Sequence, residues 1–297
     1  MSHSLSKIEA LKLDKLDSTY FHESKKLIAA TSSDQLVKVY KQGESEEELN
    51  LIKEYKNHVG AIISIVFAPE NYHTYMLSIG YDKSLYLYNL DDQKSNDAVF
   101  SYTEENEKIG YFTCVTFLPL DKTRLYFIVG TSTGELITFD SESSFEPKTQ
   151  HVAQSMIKSV SGNNKGDIVV VSNGNTPSLF LNFNFGESIQ FESNNQNSLK
   201  TNQVQFSTQN SDDDFSYFLT TSEDQTVGIW EINHALQFAK QIQTIQLDLP
   251  IINANWNLTG LSISVFCAKK DDSIKNMKSF RLVNQEQKGE AHWRVIE

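Results

Sequence analysis

The residues able to do chemistry in this chain are spread along it and do not gather. Its histidines are His3, His22, His58, His73, His151, His234 and His292, and no two stand at metal-ligand spacing. No CxxC, HExxH, GxSxG, P-loop or GxGxxG occurs, so the common zinc, nucleophile and phosphate-cradling arrangements lack their residues. Ser32-Ser33-Asp34 offers half of a nucleophile arrangement, and Asp212-Asp213-Asp214 lacks the loop spacing of a calcium site. The sequence therefore leads us to expect no catalytic set, no metal and no cofactor.

What does recur is one carboxylate in one setting. TSSDQLVKVY (31–40), SIGYDKSLYLY (78–88) and TSEDQTVGIW (221–230) are versions of each other. Each joins a short apolar strand to an Asp-centred turn and then to an alternating strand ending in an aromatic residue. Asp34, Asp82 and Asp224 precede Tyr40, Tyr88 and Trp230 by the same six positions. An Asp there accepts backbone N–H groups of its own tight turn, which is structural chemistry.

Elements of this kind need a large apolar store, and the composition has it. Of 297 residues 39 % are apolar, with 18 Phe and 12 Tyr against 5 Pro, a balance that leans toward sheet. The formal charge of −12 argues against nucleic acid, because counterion release needs clustered Lys and Arg. Cys114 and Cys267 both sit in apolar runs and read as reduced core residues. The amino terminus lacks a signal-like apolar core, and no apolar run approaches a membrane span. A soluble intracellular protein is expected.

Laid along the chain, the motif marks six units of about fifty residues, the upper end for propeller blades. The expected fold is all-β: one six-bladed propeller domain over 1–297. Its blades lie near 16–56, 57–100, 108–150, 151–192, 200–247 and 248–297. In unit three Gly134 stands where the others have Asp, and unit four lacks the Asp turn. Each unit reads as short period-two strands, the pattern of four-stranded antiparallel sheets. EINHALQFAKQIQTIQL admits either a helix or a strand plus loop. Trp256 is expected between blades, and Trp293 on an outermost strand of the last unit. Kelch blades need a Gly-Gly pair, and none occurs.

The order of these motifs resembles the Sec-thirteen-like WD-repeat propellers of the COPII outer coat and nuclear pore scaffold. TSSDQLVKVY followed by NHVGAIISIVFAP and LSIGYDKSLYLY is similar to that family's first two blades, GTSTGELITFD to its third, and PIINANWNLTG with HWRVIE to its last. The paralogous Seh-one family, of pore and nutrient-signalling complexes, shares the start and the WN-TG element. In WD-repeat blades the turn Asp also bonds a His on the preceding loop, and His58 and Asp82 match that pair.

The resemblance implies a non-enzymatic scaffold subunit working in ER-to-Golgi transport. It implies a cytoplasmic location at ER exit sites, with the nuclear envelope as a second. It implies a propeller left open between first and last blade. HWRVI can close the last blade from its own sequence, so no strand locks the ring. A large helical coat or pore scaffold protein, Sec-thirty-one-like or nucleoporin-like, would then insert a blade of its own. The seam would involve Ile8, Leu11, Leu13, Trp293 and Val295. The other readings are closure by residues 5–13 of the same chain, and a peptide-binding WD-repeat adaptor.

Overall fold

The computed structural model describes residues 16–296 except 23–25, 33, 44–47, 70–73, 93, 121–123, 173–176, 190, 193–200, 208–213, 257–261, 268–277 and 288–289. The chain is all-β, in multiple antiparallel sheets, with no α-helix among the described residues. It falls into two compact units, 1–157 and 158–297.

The first unit holds three sheets, each made of consecutive strands. Sheet one is β1 (Leu16–His22), β2 (Leu27–Ser32), β3 (Val37–Gln42) and β4 (Leu49–Tyr55). Sheet two is β5 (Ile62–Phe67), β6 (Tyr75–Gly80), β7 (Ser84–Asn89) and β8 (Phe100–Thr103). Sheet three is β9 (Phe112–Leu118), β10 (Tyr126–Thr131), β11 (Glu135–Asp140) and β12 (Lys148–His151). The second strand of sheet two, β6, is apolar on both faces because sheets one and three cover it. Met76 faces sheet one while Leu77 and Ile79 face sheet three, and all three are fully buried. Phe127, Phe139, Phe100 and Tyr102 fill the gap between sheets two and three with ring contacts of 5.0–6.5 Å.

The second unit departs from four strands per sheet. Sheet four has three: β13 (Ile157–Gly162), β14 (Ile168–Ser172) and β15 (Ser178–Phe180). Among the described residues a fourth strand is represented by one isolated bridge, Leu179 to Ile189. The chain then leaves, and β16 (Phe191–Glu192) pairs parallel with the outer edge of sheet five. Sheet five is thus five-stranded, adding β17 (Thr201–Phe206), β18 (Phe215–Ser222), β19 (Thr226–Asn233) and β20 (Phe238–Gln246). The segment that admitted a helix is β19, a turn and β20. Its register on β19 is fixed by an apolar face, Ile229, Ile245 and Leu247, packed against sheet six. Sheet six is β21 (Ile251–Trp256), β22 (Ser262–Cys267), β23 (Lys278–Gln287) and β24 (Glu290–Ile296). The strand carrying Trp293 is therefore its outermost.

One irregularity repeats. In β1, β5, β9, β17 and β21 the second residue is an extra one opposite β2, β6, β10, β18 and β22: Asp17, Ile63, Thr113, Asn202 and Ile252. A bulge at one place in five sheets bends each first strand alike, as repeated use of one structural unit requires.

Candidate functional site

The turn residues come first, because they fix the ends of the sheets. Around Asp82 the motif is complete. Its carboxylate accepts Val59 N–H at 2.9 Å, Ser84 N–H at 3.1 Å and the His58 ring Nδ1–H at 3.0 Å. An ionised carboxylate cannot donate, so Nδ1 carries the proton and Nε2 accepts from the Ser78 hydroxyl at 2.8 Å. Burial lowers the His58 pKa, with the Asp82 charge opposing. Asp34 and Asp224 share the turn but lie exposed. Asp34 accepts Leu36 N–H and pairs with Lys38 at 3.1 Å, and Asp224 accepts the Thr226 N–H and hydroxyl.

The expected alignment of unit three is off by one. Gly134 does not take the place of Asp; Thr133 does. The Thr133 hydroxyl accepts Gly110 N–H at 2.8 Å, as Asp82 accepts Val59 N–H. Gly134 instead takes the position after it, left-handed at φ +93, where Gln35, Lys83 and Gln225 have φ of +66, +56 and +69. Only glycine fits in this copy, since a Cβ would stand 1.8 Å from the Ala153 carbonyl oxygen. Counting six onward from Thr133 reaches Phe139, fully buried like Tyr88. The missing carboxylate comes from Glu135, which accepts the Thr131 and Thr133 hydroxyls and faces His151. Burial pushes the Glu135 pKa up, the hydroxyls pull it down, and the net shift is downward.

The aromatics at the strand ends pack onto the preceding sheet. Tyr88 lies against Tyr55 of sheet one with ring centroids 4.1 Å apart. Trp230 reaches the core shared with Val169, Val171 and Leu179 of sheet four, and its indole N–H donates to the Thr220 hydroxyl at 2.9 Å. Tyr40, on sheet one, is only half-buried. Trp256 is buried between sheets five and six.

One Ser, His and Asp do meet. The Ser216 hydroxyl stands 2.8 Å and the Asp167 carboxylate 3.6 Å from the same His234 nitrogen, Nε2. A general-base relay needs acid and nucleophile on opposite ring nitrogens. This cluster instead fastens the ends of sheets four and five, with Asn163 donating to both Asp167 and Ser216.

The contacts that sequence reading missed run between first strands of neighbouring sheets in the second unit. Val204 N–H donates to Ser159 Oγ at 3.2 Å and Phe206 N–H to Ser161 Oγ at 3.0 Å. One sheet on, Ala254 N–H donates to Gln203 Oε1 at 3.0 Å and Trp256 N–H to Gln205 Oε1 at 2.9 Å. These N–H groups lie on sheet edges and would otherwise go unpaired. The signal was available as the triplets SVS, QVQ and NAN at one place in the units.

Ile8, Leu11 and Leu13, named for the seam, lie outside the described residues, as does closure by 5–13. Trp293 and Val295 belong to β24, and their side-chain surroundings lie outside as well. Among the described residues no three His, Cys, Asp or Glu side chains gather as metal ligands. Neither a family model nor a curated protein sequence matches the chain.

Proposed function

We propose that the chain is a non-enzymatic scaffold subunit whose sheets are six blades arranged radially, open between sheet one and sheet six. A blade from a large helical scaffold protein completes it. The observation that carries this reading is the strand economy of the terminal sheets. Among the described residues β1 to β4 build sheet one and β21 to β24 build sheet six, each from consecutive sequence, and neither lends a strand to the other. Ring propellers are commonly held shut by such an exchanged strand, and without one the two sheets keep their own edges for another backbone. The motif order, which resembles that of coat and pore scaffold propellers, supports a donor of that kind, with the work done on the cytoplasmic side of the ER and at the nuclear envelope. A Seh-one-like position in pore or nutrient-signalling complexes is the same role with a different donor. No helix among the described residues is long and apolar enough to cross a membrane.

Purification alone and with the co-expressed donor tests it, with mass read by light scattering. The expected result is a one-to-one complex that melts well above the lone chain. A stable lone monomer whose melting is unmoved by any scaffold protein contradicts it.

A second reading, a peptide-binding adaptor, is favoured by one patch in the first unit. Tyr81 and Tyr111 are 58 % and 38 % exposed with rings 5.2 Å apart, and Val59 is 82 % exposed. Exposed aromatics of this kind suit short ligands. Tyr81→Ala with Tyr111→Ala separates the readings, since it leaves an inserted blade in place and abolishes peptide capture.

A further inference from the structure

The hydrogen bonds between sheets four, five and six follow a rule that runs off the end of the chain's own sheets. Ser159-Val160-Ser161, Gln203-Val204-Gln205 and Asn253-Ala254-Asn255 occupy matching places on β13, β17 and β21. In the first two, both polar side chains reach the first strand of the next sheet and accept backbone N–H groups two residues apart. Gln203 also bonds in the reverse direction, its Nε2 donating to the Ala254 carbonyl at 3.2 Å, and the Gln205 carbonyl accepts the Trp256 indole N–H at 3.2 Å.

The third triplet has the same chemistry to offer. Asn253 Oδ1 accepts from Gln203 Nε2 at 2.8 Å, which leaves its amide N–H groups for another acceptor. The Asn255 side chain is half-buried and makes no hydrogen bond among the described residues. Beside them the bulge residue Ile252 is 56 % exposed. A half-buried amide costs desolvation unless something pairs with it.

We propose that Asn255 receives the first strand of the inserted blade by accepting a backbone N–H group, seconded by Asn253, whose amide N–H groups donate to a backbone carbonyl of the same strand. This rests on the partner-blade reading above. The ladder also specifies the segment received. The residues whose N–H groups are taken are Val204 and Phe206, then Ala254 and Trp256: a small or branched apolar residue two positions before an aromatic. The occupant is thus an extended segment of another polypeptide with a small apolar residue, any residue, then an aromatic. The chain's own β1 carries Thr19-Tyr20-Phe21, so the test must tell the two apart.

Two substitutions in the purified full chain make the first comparison. Gln205→Leu removes an acceptor in use and should lower Tm by about 3–6 °C. Asn255→Leu should leave Tm within about 1 °C, because nothing in the lone chain depends on it. An equal drop for both means that Asn255 already holds a strand of its own chain, which overturns the proposal. In cells, a photo-crosslinking benzoylphenylalanine at position 255 should join a segment of a second polypeptide bearing the small-x-aromatic pattern. Binding of that polypeptide should fall at least tenfold with Asn255→Leu, about what loss of one well-placed hydrogen bond does. Crosslinks to residues 16–22 of the same chain sink the inserted blade itself. A second polypeptide whose binding ignores Asn255→Leu sinks only the ladder.

Discussion

The His58 imidazole and the Asp82 carboxylate stand 3.0 Å apart with side chains 1 % and 5 % exposed. Asp82 also holds the Val59 and Ser84 N–H groups, so one buried carboxylate ties the loop before sheet two to the turn between β6 and β7. Its loss leaves three donors without a partner. Asp82→Ala should cost about 3 kcal/mol, whereas Asp34→Ala, at an exposed turn, should cost about 0.5 kcal/mol. Urea titration of both variants checks the contrast, and equal effects would contradict it.

Stability should fall on mild acidification. Burial holds the His58 and His234 pKa values below normal, while the unfolded chain protonates both near pH 6.5. Above that pH both states carry neutral rings and nothing changes. As pH falls below about 6.5 only the unfolded chain gains protons, and stability drops by up to about 1.4 kcal/mol per pH unit for each ring. The loss ends once the folded rings titrate. Melting curves between pH 7.5 and 5.5 measure it, and His58→Asn should flatten part of the slope. A chain equally stable at both pH values would contradict it.

Gly134 should resist any side chain. Gly134→Ala places a methyl against the Ala153 carbonyl at positive φ and should cost about 2 kcal/mol or more, while Gln225→Ala, at the matching turn of unit five, should cost under about 1 kcal/mol. Denaturation midpoints of the pair check it.

Trp230 combines packing with a hydrogen bond, and the two are separable. Its ring stacks on Phe218 at 5.7 Å with an interplanar angle of 2°. Trp230→Phe keeps most of the volume and strands the Thr220 hydroxyl, for about 1–2 kcal/mol, and Trp230→Ala opens a cavity for about 3–5 kcal/mol. Calorimetry distinguishes the two, and a phenylalanine variant as damaged as the alanine one would contradict the split.

The all-β class was legible because strand alternation and the Asp turn are local signals. QLVKVY shows which face is buried without any tertiary knowledge, and β3 follows it, whereas β7 is buried on both faces, with Leu85 and Leu87 in the core toward sheet three and Tyr88 in the core toward sheet one. Unit three misled by one residue because Gly134 looked like a replaced Asp, while the constant was the six-residue step from Thr133 to Phe139. That the described residues of sheet four show only a bridge at Ile189 had no reading in the sequence, since Ile189 and Phe191 look alike in composition and only the neighbouring edge decides which pairs where. The ladder of Ser159, Gln203 and their companions hid for another reason: polar residues on a strand read as solvent-facing, and here they pair with a neighbouring sheet's backbone.

Disulfide trapping across the seam tests the open ring most directly. Val204→Cys with Ser159→Cys brackets a contact of 3.2 Å between neighbouring first strands and should crosslink under mild oxidation. Thr19→Cys with Asn253→Cys occupies the matching positions on β1 and β21. In the complex with its donor the proposed blade would lie between, and this second pair should stay reduced. Crosslinking of Thr19→Cys to Asn253→Cys as readily as the first pair would mean that the chain seals its own ring and takes no blade.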